Sequence, residues 1–273
     1  MNYKIKIIGE SLNASIPSVK KAIVSHDEKY ITDQALIQAE CGAHMLDINA
    51  AVIGRNEAED LVWMVELVQS VVNLPLVLDS SDPKALQAAM KIYNGPQPIL
   101  SSITGEMVKD HEILLSIAAQ NNCGLVAMCM DKNGISPDPK NRFAVAERLY
   151  EKAEAFGVKP ENLYIDPLVM TVAADSSAGA TCLEVLRLIK ENLPNVHIYG
   201  GVSNVSHGMP LRYLLNQTFI SMLAAFGMDS FMVNVRDQGI VATLYAASAL
   251  TGKDEWSAEY IKAYRAGKLE VKR

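Results

Sequence analysis

The strongest constraint on this fold is a repeat, in which an apolar strand is followed by a helical pattern eight times along the chain. The predicted strands cover residues 4–10, 45–50, 74–80, 98–104, 124–131, 163–170, 197–204 and 229–236. The predicted helices cover residues 28–41, 57–72, 83–93, 108–121, 142–156, 180–192, 210–226 and 239–250. An amphipathic segment, 257–266, follows the last unit.

The strands are mostly continuous apolar runs, which is typical of parallel strands covered on both faces. One strand and one helix recur about every 30 residues, the size of a right-handed βα unit. Eight such units in 273 residues predict an α/β fold, a single (β/α)8 TIM barrel domain over residues 1–273. The rival is a doubly wound open sheet, which is disfavoured because no GxGxxG turn follows the first strand.

Composition and charge exclude several function classes. The net charge is −6 and no basic run occurs outside the last residues, which argues against a nucleic-acid partner. No apolar run reaches the roughly 20 residues of a membrane span, and the first residues do not read as a signal peptide. The four cysteines form no CxxC pair, so we expect a reduced, cytoplasmic protein. The five histidines show no metal-ligand spacing, so any corrinoid, haem or cluster would have to come on another protein.

Polar side chains concentrate where the predicted strands end, and in a barrel the active site lies at the carboxyl ends of the strands. These positions predict a cup of acids and amides, with Asn204 at the end of the seventh strand. The candidates are Glu10, Asn13, Asp47, Asn49, Asp79, Ser80, Ser101, Ser102, Asp131, Asp166, Asn204 and Asn234.

Some of these residues have a simpler explanation. Asp131 is expected to cap a helix or stabilise its loop. Asp82 is a better cap than Asp79 for the helix from residue 83, which leaves Asp79 for another role. Pro167 makes capping by Asp166 unfavourable. For three other residues at the predicted strand ends or in the turn that follows, two roles remain equally possible: contact with a ligand, or an internal hydrogen bond or solvent exposure. They are Glu10, Asp47 and His207.

The cup lacks a nucleophile elbow, a Cys–His pair and a metal set, which disfavours covalent and Lewis-acid chemistry. Carboxylates accept paired hydrogen bonds from an amino-pyrimidinone edge, and side-chain amides form hydrogen bonds with both N–H and C=O groups. The residues therefore favour a nitrogen-rich heterocycle as ligand.

Several segments resemble the pterin-binding barrel of methyltetrahydrofolate methyltransferases. They are LVLDSSDPKAL, LYIDPLV (163–169) and the stretch 200–219, with IIGESLN (7–13) and MLDINA (45–50) matching in place. The folate module of cobalamin-dependent methionine synthase belongs to the same group, and dihydropteroate synthase is a more distant relative. The resemblance implies a TIM barrel of the pterin-binding type.

The resemblance also implies roles for individual residues. Asp79 and Asp166 would hold the pterin, and the amide of Asn204 would hydrogen-bond the methyl-bearing nitrogen. His207 and Arg212 would lie beside the same ligand. Close relatives have an asparagine where this chain has Ser101. The serine would act through a water, or Ser102 or Asn49 would cover the contact.

The implied activity is a methyltransferase reaction between tetrahydrofolate, or 5-methyltetrahydrofolate, and the cobalt of a corrinoid (cobalamin) carried by a partner protein. The direction of transfer stays open. A non-catalytic folate-binding protein is the alternative of another class. Two further alternatives are a dihydropteroate-synthase-like enzyme and a barrel enzyme that acts in an unrelated metabolism of small amines. The apolar C-terminal helices and the relatives favour a homodimer.

Overall fold

The computed structural model describes residues 4–106 and 108–269, and its eight strands close into one barrel. Neighbouring strands follow chain order, every pair is parallel, and β1 pairs with β8. The predicted TIM barrel is therefore confirmed. The strands are β1 Lys6–Asn13, β2 Met45–Asn49, β3 Leu76–Asp79, β4 Ile99–Thr104, β5 Gly124–Met128, β6 Leu163–Asp166, β7 His197–Gly201 and β8 Ser230–Val233.

Helices cover the outside of the barrel, and three 3₁₀ turns, Pro160–Asn162, Ser203–Ser206 and Glu255–Ser257, lie between them. Within the described ranges, no helix is long and apolar enough to cross a membrane. The helices are α1 Pro17–Ser25, α2 Glu28–Glu40, α3 Glu57–Val71, α4 Pro83–Ile92, α5 Lys109–Asn121, α6 Pro139–Ala155, α7 Ala178–Asn192, α8 Arg212–Ala225, α9 Gln238–Leu250 and α10 Ala258–Arg265.

The observed elements differ from the predicted ones at several ends, and three of the differences have a local physical reason. Helix α1 was not predicted, because its nine residues bury only a short apolar stripe. Strand β7 ends at Gly201 rather than at residue 204, since the chain turns into the 3₁₀ segment Ser203–Ser206. Helix α8 begins at Arg212 rather than at residue 210, because Leu211 adopts a left-handed conformation with φ of 49°.

The core has two layers, as the barrel architecture requires. One layer packs the outer faces of the strands against the helices. The other fills the barrel with side chains that follow the two-residue period of each strand. This inner layer consists of Ile8, Met45, Val77, Ile99, Val126, Tyr164 and Tyr199. Because the interior is packed, the open space for a ligand lies at the ends of the strands.

The amino-terminal end of the barrel is closed by a buried polar cluster. Lys6 Nζ donates to the Tyr164 hydroxyl at 2.6 Å, and the Tyr164 ring stacks on His197 with centroids 4.5 Å apart. His197 Nδ1 lies 3.0 Å from Asp229 Oδ1. The opposite end, where the strands finish, is therefore the mouth, and this name is used below for the carboxyl ends of the strands.

Aspartates occupy the N-cap position of four helices and accept hydrogen bonds there from backbone N–H groups of the first turn. One of them is Asp82, which accepts from Lys84 N at 2.9 Å and confirms the cap predicted for α4. Asp79, three residues earlier, is left free for contacts at the mouth. The other aspartate caps are Asp27, Asp138 and Asp237.

Candidate functional site

Four polar residues stand side by side at the mouth. The strand register pairs Asn13 with Asn49, Asn49 with Asp79, and Asp79 with Ser101, across β1 to β4. The sequence had predicted these residues as members of one cup, and the parallel register brings them into one row.

Hydrogen bonds fix the direction of two amides in this row. Asn13 Nδ2 lies 3.4 Å from Asp47 Oδ2, and Asn49 Nδ2 donates to Asp79 Oδ2 at 3.0 Å. The oxygen of each amide accepts from the backbone N–H two residues further on, at 3.0 and 3.1 Å. Because the oxygens are occupied in this way, the NH₂ groups must face the two carboxylates.

Ser101 meets Asp79 directly. Its side chain hydrogen-bonds the Asp79 carboxylate, which also receives the bond from Asn49. Both bonds lower the pKa of Asp79 and thereby partly offset the effect of burial. The serine is buried, whereas the side chain of Ser102 lines a cavity at the mouth, and the peptide bond between the two serines is cis.

Asp166 occupies the end of β6, in register with Met128 of β5. Its Oδ1 accepts from Leu168 N at 2.8 Å. A Cβ at Gly200 would lie 2.9 Å from the same oxygen, so the glycine leaves the room that this carboxylate needs. Burial raises the pKa of Asp166 to about 7, although the Leu168 N–H and the Arg142 guanidinium both act in the opposite direction.

The carboxylates of the cup share one electrostatic environment. Burial raises the pKa values of Glu10, Asp47 and Asp79, and the charge of Asp79 raises that of Asp47 further. Burial raises the pKa of the Tyr199 hydroxyl well above its usual value, and the nearby charges of Asp47, Asp79, Asp166 and Glu10 raise it further. The carboxylate oxygens of the cup offer acceptors to any ligand that brings hydrogen-bond donors.

Tyr199 is a site residue that sequence reasoning missed. It is 2% exposed, and its hydroxyl has no hydrogen-bond partner among the described residues. Oδ1 of Asp47, which is fully buried, likewise has no hydrogen-bond partner among the described residues. The two-residue period of β7 places Tyr199 inward and would have been the signal for it.

Asn204 lies in the 3₁₀ turn Ser203–Ser206 rather than at a strand end, which corrects the expected position. Its side chain is exposed at the mouth. Two bonds join this turn to the loop after β6. Val172 N donates to Val205 O at 3.0 Å, and Thr171 Oγ1 donates to His207 O at 2.6 Å.

Arg212 holds the same turn from the other side. Its Nη2 donates to Ser203 O at 2.8 Å and its Nε to Ser206 Oγ at 3.0 Å. The guanidinium also lines a cavity with Glu10 and Asn234. Arg212 therefore supports the Asn204 turn and at the same time borders open space at the mouth.

Two cavities of about 310 Å³ each flank the cup. The first, the β7–β1 cavity, includes Glu10, Arg212 and Asn234, together with Tyr213 and Asn216, which sequence reasoning did not single out. The second, the β2–β5 cavity, has polar and apolar walls. Its wall includes Asn49, Asp79, Ser102, Met128 and His111, the last also missed.

Asp131 stabilises its own loop, one of the two roles expected for it. Its Oδ1 accepts from Asn133 N at 2.9 Å, and its Oδ2 lies 3.5 Å from Arg148. Within residues 4–106 and 108–269, the cup included, no group of three or more histidines, cysteines and acids is arranged to hold a metal ion.

A family model described as "Pterin binding enzyme" matches residues 9–249, which includes every element of the cup. The chain belongs to the pterin-binding enzymes. Within this family it is 36% identical to a methylcorrinoid:tetrahydrofolate methyltransferase from Eubacterium limosum, over 96% of this chain and 97% of that protein.

Two further relatives of this pterin-binding enzyme are more distant. A methionine synthase from Mycobacterium leprae is 28% identical over 84% of the chain, which spans about a fifth (20%) of that larger protein. A dihydropteroate synthase structure from Xanthomonas albilineans superposes with a TM-score of 0.69 at 18% identity, covering 90% of this chain and 92% of the other. The structural likeness shows the shared fold alone.

Proposed function

We propose that this pterin-binding enzyme is a methyltransferase that moves a methyl group between tetrahydrofolate and the cobalt of a corrinoid held by a partner protein. The observation that carries the proposal is the acid-and-amide cup at the mouth of a pterin-binding barrel. The name and the full-length similarity of the Eubacterium limosum relative support transfer from the methylcorrinoid to tetrahydrofolate.

In this proposal Asp79 and Asp166 accept hydrogen bonds from the amino-pyrimidinone edge of the pterin. Asn49 and Ser101 already orient Asp79 by donating to it. The pterin fits this cup chemically, because the neighbouring protein groups supply fewer hydrogen-bond donors than the buried carboxylate oxygens can accept. The unpartnered Tyr199 hydroxyl offers one further donor beneath the ligand.

Asn204 acts on the nitrogen that exchanges the methyl group. A methylated corrinoid, when bound, would supply an electrophilic methyl group: the pterin nitrogen attacks the methyl carbon with its lone pair, and the electron pair of the broken cobalt–carbon bond stays on the cobalt. The uncharged amide of Asn204 accepts from the N–H of this nitrogen and directs the lone pair outward. As the nitrogen–carbon bond forms and positive charge develops, the amide dipole of Asn204 stabilises the transition state by a few kcal/mol. The nitrogen then loses its proton to solvent.

The partner docks over the mouth, where Asn204 and His207 are exposed and the folate tail has room in the flanking cavities. The same proposal makes the chain one barrel domain that works in the cytoplasm as a homodimer. The four cysteines are free thiols, as a reducing compartment favours. Exposed aromatic side chains near the C-terminus, Trp256 and Tyr264, support a self-contact there.

The test is a transfer assay in both directions with the purified chain. Methylcobalamin with tetrahydrofolate, and reduced cobalamin with 5-methyltetrahydrofolate, are followed by the cobalamin spectrum and by chromatography of the folates. We expect transfer in at least the first direction. Folate binding without transfer in either direction would replace the proposal by a non-catalytic folate-binding protein, and absence of folate binding would overturn it.

The homodimer is tested separately by light scattering on a size-exclusion column. We expect a mass of two chains for the protein and of one chain for Trp256→Asp. A monomer at all concentrations would contradict this part of the proposal.

A further inference from the structure

Arg142 on α6 is a buried cation that sequence reasoning missed. Its side chain is enclosed, at 2% exposure, and its guanidinium donates to backbone carbonyls of two mouth loops. Nε and Nη2 donate to Ser136 O at 3.0 and 2.7 Å, in the loop after β5. Nη1 donates to Pro167 O at 3.1 Å and Leu168 O at 3.0 Å, in the loop after β6.

These bonds hold the backbone that orients Asp166. Leu168 has a φ of 62°, a left-handed conformation that is unfavourable for leucine. In this conformation its N–H donates to Asp166 Oδ1, while its carbonyl is held by Arg142. The guanidinium fork therefore fixes the one peptide segment whose N–H group sets the direction of the carboxylate.

The same loop continues to the turn that carries Asn204. Three residues beyond Leu168, Thr171 donates to His207 O, and Val172 donates to Val205 O. The loop anchored by Arg142 is thus bonded both to Asp166 and to the turn of Asn204.

We propose that Arg142 is a positioning residue of the pterin site, which sets Asp166 for the ligand and, through residues 167–172, fixes the Asn204 turn. This inference rests on the proposed function for the identity of the ligand. Arg142 acts on Asp166 in two ways: its hydrogen bonds hold the loop that orients the carboxylate, and its positive charge favours the ionised form.

The electrostatics around Asp166 agree with this role. Cys129 and Cys182 face Asp166 and Arg142, and burial raises the pKa of both thiols, so they stay neutral. The Tyr199 hydroxyl also faces Asp166 and stays protonated for the same reason. The positive charge of Arg142 lowers the pKa of Asp166, so its removal is expected to move the titration of Asp166 to higher pH.

The test compares Arg142→Met and Arg142→Lys with a matched control on the same helix. The control is Arg148→Met, whose side chain is half exposed (49%) and pairs with Asp131 outside the cup. Tetrahydrofolate affinity is measured by titration between pH 6 and 9 for each protein. For Arg142→Met we expect the midpoint of the affinity profile to rise by about one pH unit and the Kd at pH 7 to rise about tenfold.

Arg142→Lys keeps the charge but not the fork, so its midpoint stays near that of the unchanged protein while its Kd rises a few-fold. This variant also keeps the test valid if Arg142→Met does not fold. Arg148→Met is expected to match the unchanged protein in both quantities. If both Arg142 variants lose stability but keep the midpoint and the Kd of the folded fraction, Arg142 is only structural and the proposal is overturned.

A ligand-free readout separates this inference from the proposed function. The Asp166 titration is obtained from unfolding free energies against pH, as the difference between each protein and its Asp166→Asn counterpart. A higher midpoint in Arg142→Met than in Arg142→Lys supports the coupling even if no folate binds. Equal midpoints would overturn the inference even where methyl transfer is established.

Discussion

At the scale of single residues, the site combines two carboxylates that are already hydrogen-bonded to the protein with one amide whose side chain is exposed. Asp79 and Asp166 each receive hydrogen bonds from the protein, at 3.0 Å from Asn49 and at 2.8 Å from Leu168. Asn204, by contrast, presents its side chain at the mouth. This difference fits the proposed roles: Asp79 and Asp166 hold the pterin in a fixed direction, and the Asn204 amide reorients to hydrogen-bond the reacting nitrogen.

Replacement of Asn204 by alanine is therefore expected to lower both folate binding and transfer. Loss of the amide dipole at the reacting nitrogen should reduce kcat by about 10²-fold. Steady-state assays with methylcobalamin measure it. Asn133→Ala, an exposed amide in the loop after β5, is the control and should retain full activity. Unchanged kcat and affinity in Asn204→Ala would remove this residue from the mechanism.

The pKa of Asp166, about 7, gives binding a pH dependence. If the pterin edge requires the carboxylate, affinity for tetrahydrofolate rises with pH through this value, by about tenfold between pH 6 and pH 8. Asp166→Asn should bind weakly and without this slope. Isothermal titration across the range measures it, and an equally steep slope in the asparagine variant would show that another group titrates.

The same raised pKa has a consequence for stability. The carboxylate of Asp166 is penalised in the ligand-free fold, so its contribution to the free energy of unfolding falls as pH rises from about 4 through about 7. Bound pterin should remove part of this loss, because it provides the donors that the charged form lacks.

At the scale of elements, one short segment serves both a strand and a helix. Asp79 ends β3 and faces the cup, and three residues later Asp82 caps α4 through Lys84 N. The two carboxylates are close in sequence but act on different parts of the molecule.

We expect Asp82→Ala to lower the free energy of unfolding by about 1 kcal/mol, since α4 loses its cap. Folate affinity of the folded protein should stay the same. Urea denaturation and titration measure the two effects, and Asp82→Asn serves as control because asparagine caps as well. Asp79→Asn should show the reverse, with weaker binding. A loss of affinity in Asp82→Ala would mean that the cap also shapes the site.

At the scale of the whole molecule, function and stability lie at opposite ends of the barrel. The amino-terminal end holds buried Asp229, which bonds His197 and also accepts from Ser230 Oγ at 2.8 Å. Lys190 Nζ lies 3.7 Å from its other oxygen. None of these residues borders the mouth.

Asp229→Ala should destabilise the protein by about 3 kcal/mol, because buried partners lose their charged acceptor. The kcat of the folded fraction should be unchanged. Chemical denaturation and activity at low temperature test this, with Asp33→Ala as an exposed control that should cost about 0.5 kcal/mol or less. A reduced kcat in fully folded Asp229→Ala would indicate coupling between the two ends.

The sequence by itself determined the barrel and most of the cup. Apolar runs at regular spacing predicted the βα units, and a polar residue directly after such a run must stand at the mouth. Asp79, Asp166, Asn13 and Asn49 followed from this local pattern. The same pattern singled out Asn204 and favoured a nitrogen-rich heterocycle, and the family resemblance narrowed the ligand to a pterin and gave Asn204 its role.

Only the tertiary structure decided how these groups are held. The turn of Asn204 is bonded to a loop some 33 positions away in sequence (Val172 to Val205), and Arg142 reaches Pro167 across 25 positions. Tyr199 acquired four acidic neighbours from other strands. A strand or a helix follows from neighbours along the chain, but the direction of a buried side chain is set by groups that meet only when the barrel closes, because their hydrogen bonds and charges act across space.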